Sequence, residues 1–243
     1  WESFVGAGEL PMRHGLTIGE LAHWFIDKYG LSADLTVIEM KGWVPSKAPD
    51  FGWPSNERVW INPSPNAPNV SMARCYPGTV MLEGTSLSEA RGTTRPLEIF
   101  GAPDVPANTL IERMQHIAPA WMSGCTLRTC WFEPTFHKYA GQLCEGIQIH
   151  VDEPSGYDHL KFRPWRLMCL VFKAFKSLYP DYPLWRDFDY EYERDRLAID
   201  LINGSPLVRD WVEDGEATPR DLDALAKLDE QSWVNERSPY LIY

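Results

Sequence analysis

Residues 164–178 read PWRLMCLVFKAFKSL. Leu167, Leu170, Val171, Ala174 and Leu178 recur at three- and four-residue intervals, which gathers them on one face of a helix. Pro164 suits a first helical turn, where its missing N–H costs nothing. Polar residues are few, so the segment is expected to be the longest helix and to lie at the centre of the core. The apolar run Leu167 to Phe172 is six residues, far short of the roughly 20 that cross a bilayer. No membrane span is expected.

Working back from this helix, Gly146 to Val151 and Thr126 to Glu133 read as strands. Thr109 and Glu112 have capping-box spacing ahead of a helix that Pro119 ends. Thr79 to Glu83 reads as a short apolar strand and Leu35 to Met40 as a strand rich in β-branched residues, with a Pro-, Asn-, Ser- and Trp-rich loop over 42–70 between them. Thr17 with Glu20 forms a further capping box for a helix through Lys28 that stops at Gly30. Beyond 178, charged helices are expected near Arg194 to Asn203 and Arg220 to Trp233, the latter opened by Thr218 and Pro219. Strands and helices alternate without a regular βαβ rhythm. The fold class this implies is α+β, a mixed sheet with packed helices.

The chain of 243 residues carries 23 Lys and Arg against 34 Asp and Glu, a formal charge of −11. That balance argues against nucleic acid as a partner, because phosphates demand a basic face. Cys75, Cys125, Cys130, Cys144 and Cys169 have no zinc spacing, and the six histidines form no metal motif. No metal or cofactor is expected. The 20 prolines and 11 tryptophans are above ordinary usage; the former imply fixed loops, and aromatic rings serve either the core or a sugar face.

Chemistry concentrates between Glu83 and Arg95. Glu83 and Glu89 can act as acids, bases or acceptors of sugar hydroxyls. Arg91 or Arg95 can grip a carboxylate or phosphate, and Thr93 and Thr94 add hydroxyl partners. The alternative is an elaborate turn in which Glu and Arg pair with each other. Arg13 and His14 precede a helix N-terminus and could hold an anion. A third cluster runs from Phe136 through His137, Lys138 and Tyr139 to Cys144, with Gln148 and His150 on one strand face beyond it. A Cys144–His150 thiol site is the weaker reading; a buried structural cysteine is preferred.

In this order, Pro11 to Leu21, Pro63 to Asn66, Tyr76 to Thr79, Glu83 to Pro96, Lys138 to Cys144, Gln148 to Val151 and the terminal Tyr240 to Tyr243 resemble the NamZ-type exo-β-N-acetylmuramidases. The resemblance covers essentially the whole chain. It implies a two-domain glycosidase of peptidoglycan recycling, exo-acting on non-reducing ends and releasing N-acetylmuramic acid. Residues 1–16 would be the tail of a Rossmann-like N-terminal domain and its connector, with the rest of that domain absent here, and 17–243 the C-terminal domain forming one wall of the substrate cleft. Glu83 and Glu89 are then the catalytic candidates. Arg13, His14, Arg91, Thr93, Thr94, Arg95, Tyr139, Gln148 and His150 are the substrate-binding ones. Expected partners are peptidoglycan fragments and the N-terminal domain of the same polypeptide; the compartment implied is periplasmic or secreted. A non-catalytic muropeptide-binding module is the alternative function, and a purely structural domain the third.

Overall fold

The computed structural model describes residues 6–45, 59–152 and 155–243. The chain divides into a larger unit built on Val59–Pro219 and a smaller one joining the segment from Leu10 to Arg220–Tyr243.

The first helix of the chain lies in the smaller unit. There, α1 (Ile18–Tyr29) starts at the expected capping box: Thr17 Oγ1 accepts from Glu20 N, and the Glu20 carboxylate accepts from Thr17 N at 2.6 Å. Gly30 ends it in the left-handed conformation, φ 58°. The other Glu20 oxygen accepts from Ile242 N at 2.7 Å, tying the chain's last residues to the helix start. Trp24 is fully buried, edge-on to Trp233, and its Nε1 donates to Glu236 at 3.1 Å. Leu35 to Met40 is not a strand. Met40 N donates to the Tyr243 hydroxyl instead of to a ladder, and Ile38 is exposed; β-branched residues stay extended there without a partner edge.

The larger unit opens with α2 (Val70–Thr79), whose N-cap Asn69 accepts from Met72 N at 2.8 Å. The expected strand over Thr79 to Glu83 is in fact the end of this helix and a 3-10 turn, Val80–Gly84. The three consecutive apolar residues Val80, Met81 and Leu82 have no periodicity that separates strand from buried helix. Met81 and Leu82 are fully buried, and the helical α5 (Ala198–Asn203) packs on this turn.

The sheet has three strands among the described residues: β1 (Ile99–Ala102), β2 (Thr126–Phe132) and β3 (Cys144–His150), in the order β1-β3-β2. Both pairings are antiparallel, so the sheet is not the mixed one expected. Register sets Ile99 opposite Gln148 and Gln148 opposite Arg128. Helix α3 (Ala107–Ile117) packs on β2 and β3 and also on α4 (Pro164–Leu178). It begins after Pro106, not at Thr109, and no side chain caps it. α4 is the centre of the core as expected: Arg166 to Phe175 are all buried, and α2, α3 and α6 (Leu207–Glu213) pack around it. Its buried Lys173 donates to the carbonyls of Trp211 and Asp214, closing the end of α6. It is not the longest helix, however; that is α7 (Pro219–Arg237), 19 residues against 15. The long α7 is largely exposed and its polar faces need no core.

Candidate functional site

The segment after the 3-10 turn leaves the core through Thr85 and touches the sheet edge at Ser88, which exchanges backbone hydrogen bonds with Gly101 of β1 at 2.8 and 3.1 Å. It then turns sharply. Ala90 has φ 57° and Gly92 φ 79°, and Thr93 Oγ1 donates to the Ala90 carbonyl at 2.8 Å to hold the turn. Thr135 N donates to the Arg91 carbonyl, joining this turn to the β2–β3 connection. A β-carbon on Gly92 would run into the Thr135 side chain and the Phe136 ring. Gly92→Ala is therefore expected to destabilise the protein by at least about 2 kcal/mol, combining backbone strain and steric clash. At Gly141, also left-handed but with open space around it, the same change is expected to cost only about 1 kcal/mol. Urea unfolding of the two variants measures the difference; equal losses would dismiss the clash.

Arg91 sits between the two carboxylates. Its Nη2 donates to Glu83 Oε1 at 2.5 Å and its Nε to Glu89 Oε1 at 3.0 Å. Glu83 Oε2 accepts from the Tyr190 hydroxyl at 2.7 Å. Arg91 Nη1 has no hydrogen-bond partner among the described residues. Glu83, Arg91, Phe136, His137, Phe188 and Tyr190 together line a hollow of about 290 Å³. Tyr190 is pushed well up from the ordinary phenol range by burial, then by the Glu83 charge and hydrogen bond, so it stays protonated and donates.

Glu89 shares Arg91 with Glu83 but does not line the hollow. Its side chain is fully buried and touches three nitrogens: Arg91 Nε at 3.0 Å, His137 Nδ1 at 3.1 Å and Lys138 Nζ at 2.6 Å. The Lys138 contact lies off the ideal hydrogen-bond direction and is an ion pair first of all. Burial alone would raise the Glu89 carboxyl; the Lys138 ammonium and the Arg91 hydrogen bond outweigh it and hold the group at about 2. Lys138 is drawn down to about 8, chiefly by burial, with Glu89 opposing. Both are charged at neutral pH. Lys138 Nζ also donates to the carbonyls of Leu82, Thr85 and Leu87 at 2.7, 3.0 and 2.6 Å, so one ammonium holds the 3-10 turn, the loop and the hairpin connection together.

Because the folded carboxyl lies below its unfolded value of 4.5, Glu89 contributes stability that is fully present above about pH 4.5 and lost as pH falls toward 2. The contribution is on the order of 3 kcal/mol. Denaturant midpoints between pH 5 and 2.5 are expected to fall more steeply in the parent than in Glu89→Gln; identical slopes would contradict the pairing.

The remaining candidates go elsewhere. Arg95 donates to Glu98 at 3.1 Å, and the buried Glu98 also accepts from Asn69. Thr93 serves the turn and Thr94 is exposed. Gln148 and His150 do share a strand face, but both are engaged by Arg128, at 2.7 and 3.3 Å. The Tyr139 hydroxyl meets that of Tyr182 at 3.2 Å. None of these lines the hollow. Arg13 and His14 belong to the smaller unit. There the His14 carbonyl accepts from Trp233 Nε1 at 2.8 Å, its Nδ1 accepts from Leu16 N, and burial, then Arg237, lowers its ring. Cys144 and His150 stand at opposite ends of β3, roughly 20 Å apart at the rise of a strand, and burial pushes the thiol up to about 11. A Cys144–His150 nucleophile is thereby excluded. All five cysteines are free. Among the described residues no three His, Cys, Asp or Glu side chains converge as metal ligands would, and no helix is long and apolar enough to cross a membrane.

His137, Lys138, Phe188 and Tyr190 complete the site and lie outside the Glu83–Arg95 segment. The signal available in the sequence was the polar–aromatic run from Phe136 to Tyr139; nothing local marks Phe188 or Tyr190.

The frame around this hollow is a small antiparallel α+β unit carrying a carboxylate–guanidinium cluster. Residues 74–243 match the family described as exo-β-N-acetylmuramidase NamZ, C-terminal, and residues 1–71 its N-terminal counterpart. The peptidoglycan β-N-acetylmuramidase NamZ of Bacillus subtilis (strain 168) is 35% identical over 243 residues, which is 100% of this chain and 54% of that protein. Two crystal structures of DUF1343 family proteins from Bacteroides fragilis are similar at 25% identity. One has a TM-score of 0.74 over 99% of this chain, the other 0.66 over 100%, and each is covered to 59%. The chain belongs to the NamZ family. It spans about half the length of the curated relative that it matches.

Proposed function

We propose that the complete protein is a glycosidase of peptidoglycan that works from non-reducing ends, releasing N-acetylmuramic acid from muropeptide or glycan fragments in cell-wall recycling. The hollow lined by Glu83 and Arg91 is its seat for the acidic amino sugar. In this reading a Rossmann-like N-terminal domain of the same polypeptide supplies the rest of the cleft, and the protein works in the periplasm or outside the cell.

The observation that carries the reading is the contrast between the two carboxylates. Glu83 borders the hollow, between a tyrosine hydroxyl and a guanidinium with an unused Nη1; Glu89 is sealed behind it. N-acetylmuramic acid brings a lactyl carboxylate for Arg91, and Phe136, Phe188 and Tyr190 offer rings to a sugar face. Glu83 is the group of the cluster positioned to exchange a proton with a ligand. Glu89 serves by orienting Arg91 and His137. Hydrolysis needs a second group besides Glu83, a role that another carboxylate or the substrate's own acetamido oxygen can fill.

The complete protein incubated with a chromogenic β-glycoside of N-acetylmuramic acid is expected to release the chromophore, with no release from the matching N-acetylglucosamine glycoside. Absence of turnover with a native unfolding curve, while N-acetylmuramic acid still binds by calorimetry, would replace the hydrolase with a muropeptide-binding module. The aromatic rings of Phe136, Phe188 and Tyr190 on the hollow are the feature that favours this second reading.

A further inference from the structure

One face of the sheet is apolar at one end and polar at the other. Strand alternation puts Cys144, Gln148 and His150 on the same side of β3, and the register sets Phe132 and Arg128 of β2 beside the first two. At the Cys144 end Ala90 packs over the face together with Ile99 and Phe132. At the other end Arg128 is exposed, and its guanidinium binds two neutral side chains: Nη2 donates to Gln148 Oε1 at 2.7 Å and Nε to His150 Nε2 at 3.3 Å.

A guanidinium can only donate, so these two bonds fix the groups left over. Gln148 turns its oxygen to Arg128 and keeps its amide nitrogen as a donor; neutral His150 keeps its hydrogen on Nδ1. The Gln148 side chain lies on a residue only 8% exposed, yet its amide nitrogen has no hydrogen-bond partner among the described residues, and neither has Arg128 Nη1. Arg128 also has no ion-pair partner among them. The carboxylates at this end are committed elsewhere. Glu98 accepts from Arg95 and Asn69, and Asp152 accepts from Ser155 N at 3.0 Å and feels His150 and Arg95 through space. What remains is a set of fixed donors around a cation without a counter-ion, and its complement is a carboxylate.

We infer that Arg128, Gln148 and His150 form a second carboxylate seat, taken by the next acidic sugar of a glycan whose terminal acidic sugar occupies the hollow. The inference rests on reading the hollow as the seat of that terminal sugar. Phe136 and His137 border the hollow from the connection between Phe132 and Cys144. Gln148 lies four residues along β3 from Cys144, roughly 13 Å at the rise of a strand. Acidic and neutral amino sugars alternate in peptidoglycan, so successive lactyl carboxylates sit two rings apart, and one glycan can engage both ends of the face. Arg128 Nη1 and the Gln148 amide donate to the inner carboxylate, with His150 Nδ1–H beside them.

The test compares kcat/KM of the complete protein for a disaccharide with one muramic acid and a tetrasaccharide with two. The tetrasaccharide is expected to be preferred about tenfold, through KM, the gain from one charge-assisted contact. Amidation of its inner lactyl carboxylate should remove the preference in the parent, without recourse to any variant. Arg128→Gln, with a native unfolding curve, should bring the ratio to about one. Arg113→Gln, which loses an arginine bonded to Ser177 on α3, should keep it. A parent without the preference, or an Arg128→Gln protein that retains it, overturns the inference and leaves the hollow as a seat. So does a preference seen only when the disaccharide carries a stem peptide with a free carboxylate. A natively folded protein that neither binds nor turns over the disaccharide overturns the seat and the inference together.

Discussion

Lys138→Met is expected to lower the free energy of unfolding by about 3–5 kcal/mol, the range found when one partner of a buried ion pair is removed. The side chain that replaces the ammonium is of similar length, so packing volume is nearly preserved and the loss is electrostatic. Glu89 would keep Arg91 and His137 but lose its closest cation, and the carbonyls of Leu82, Thr85 and Leu87 would lose their shared donor. Lys138→Arg is no remedy, because a planar fork cannot point at oxygens arranged around a single nitrogen. Lys28→Met is the control. Its pair with Glu236, at 2.9 Å, is more than a third exposed on both sides, and its loss should cost less than about 1 kcal/mol. Urea denaturation of both variants decides; a Lys138→Met protein as stable as Lys28→Met would show that the ammonium does not tie the site together.

Glu83→Gln should leave stability within about 1 kcal/mol of the parent and cut turnover of the muramic acid glycoside by the complete protein at least 100-fold. Glutamine has nearly the shape of glutamate and retains a carbonyl oxygen for Tyr190 Oη–H or for Arg91. What it lacks is a proton-exchanging oxygen. Glu89→Gln is expected to reverse the emphasis, with a large loss of stability. Kinetics and unfolding curves on the same preparations separate the two roles. A Glu83→Gln enzyme with parental turnover would remove Glu83 from the chemistry.

Local patterns carried the fold where neighbours in sequence decide the structure. The Thr17–Glu20 capping box, the Gly30 stop, the apolar stripe of α4 and the two strands flanking 133–143 are all present. They failed where a tertiary partner decides. Val80 to Leu82 is as apolar as a strand, yet it continues the helix begun at Asn69 and packs beneath α5. Leu35 to Met40 has strand composition and no edge to join. Of the loop over 42–70, residues 46–58 lie outside the described residues.

The same division holds at the site. Glu83, Glu89 and Arg91 meet because they are close in sequence, and their convergence was legible. The rivals Arg95, Gln148 and His150 looked equally apt, but Glu98 and Arg128 take them up, and such pairings across strands and turns leave no local mark. The contribution of His137 and Lys138 depends on the hairpin connection folding back onto residues about fifty positions earlier. Tyr190 arrives from 107 positions beyond Glu83.

His137 and Tyr139 both adopt left-handed backbone, φ 69° and 56°, on either side of the clamped Lys138. Neither residue would choose that geometry in a free peptide, so the contortion is settled during folding, long before any guest arrives. A receptor cast in its final shape has little ordering left to do on encounter; its selectivity then resides in where charge sits, and hardly at all in how the walls move.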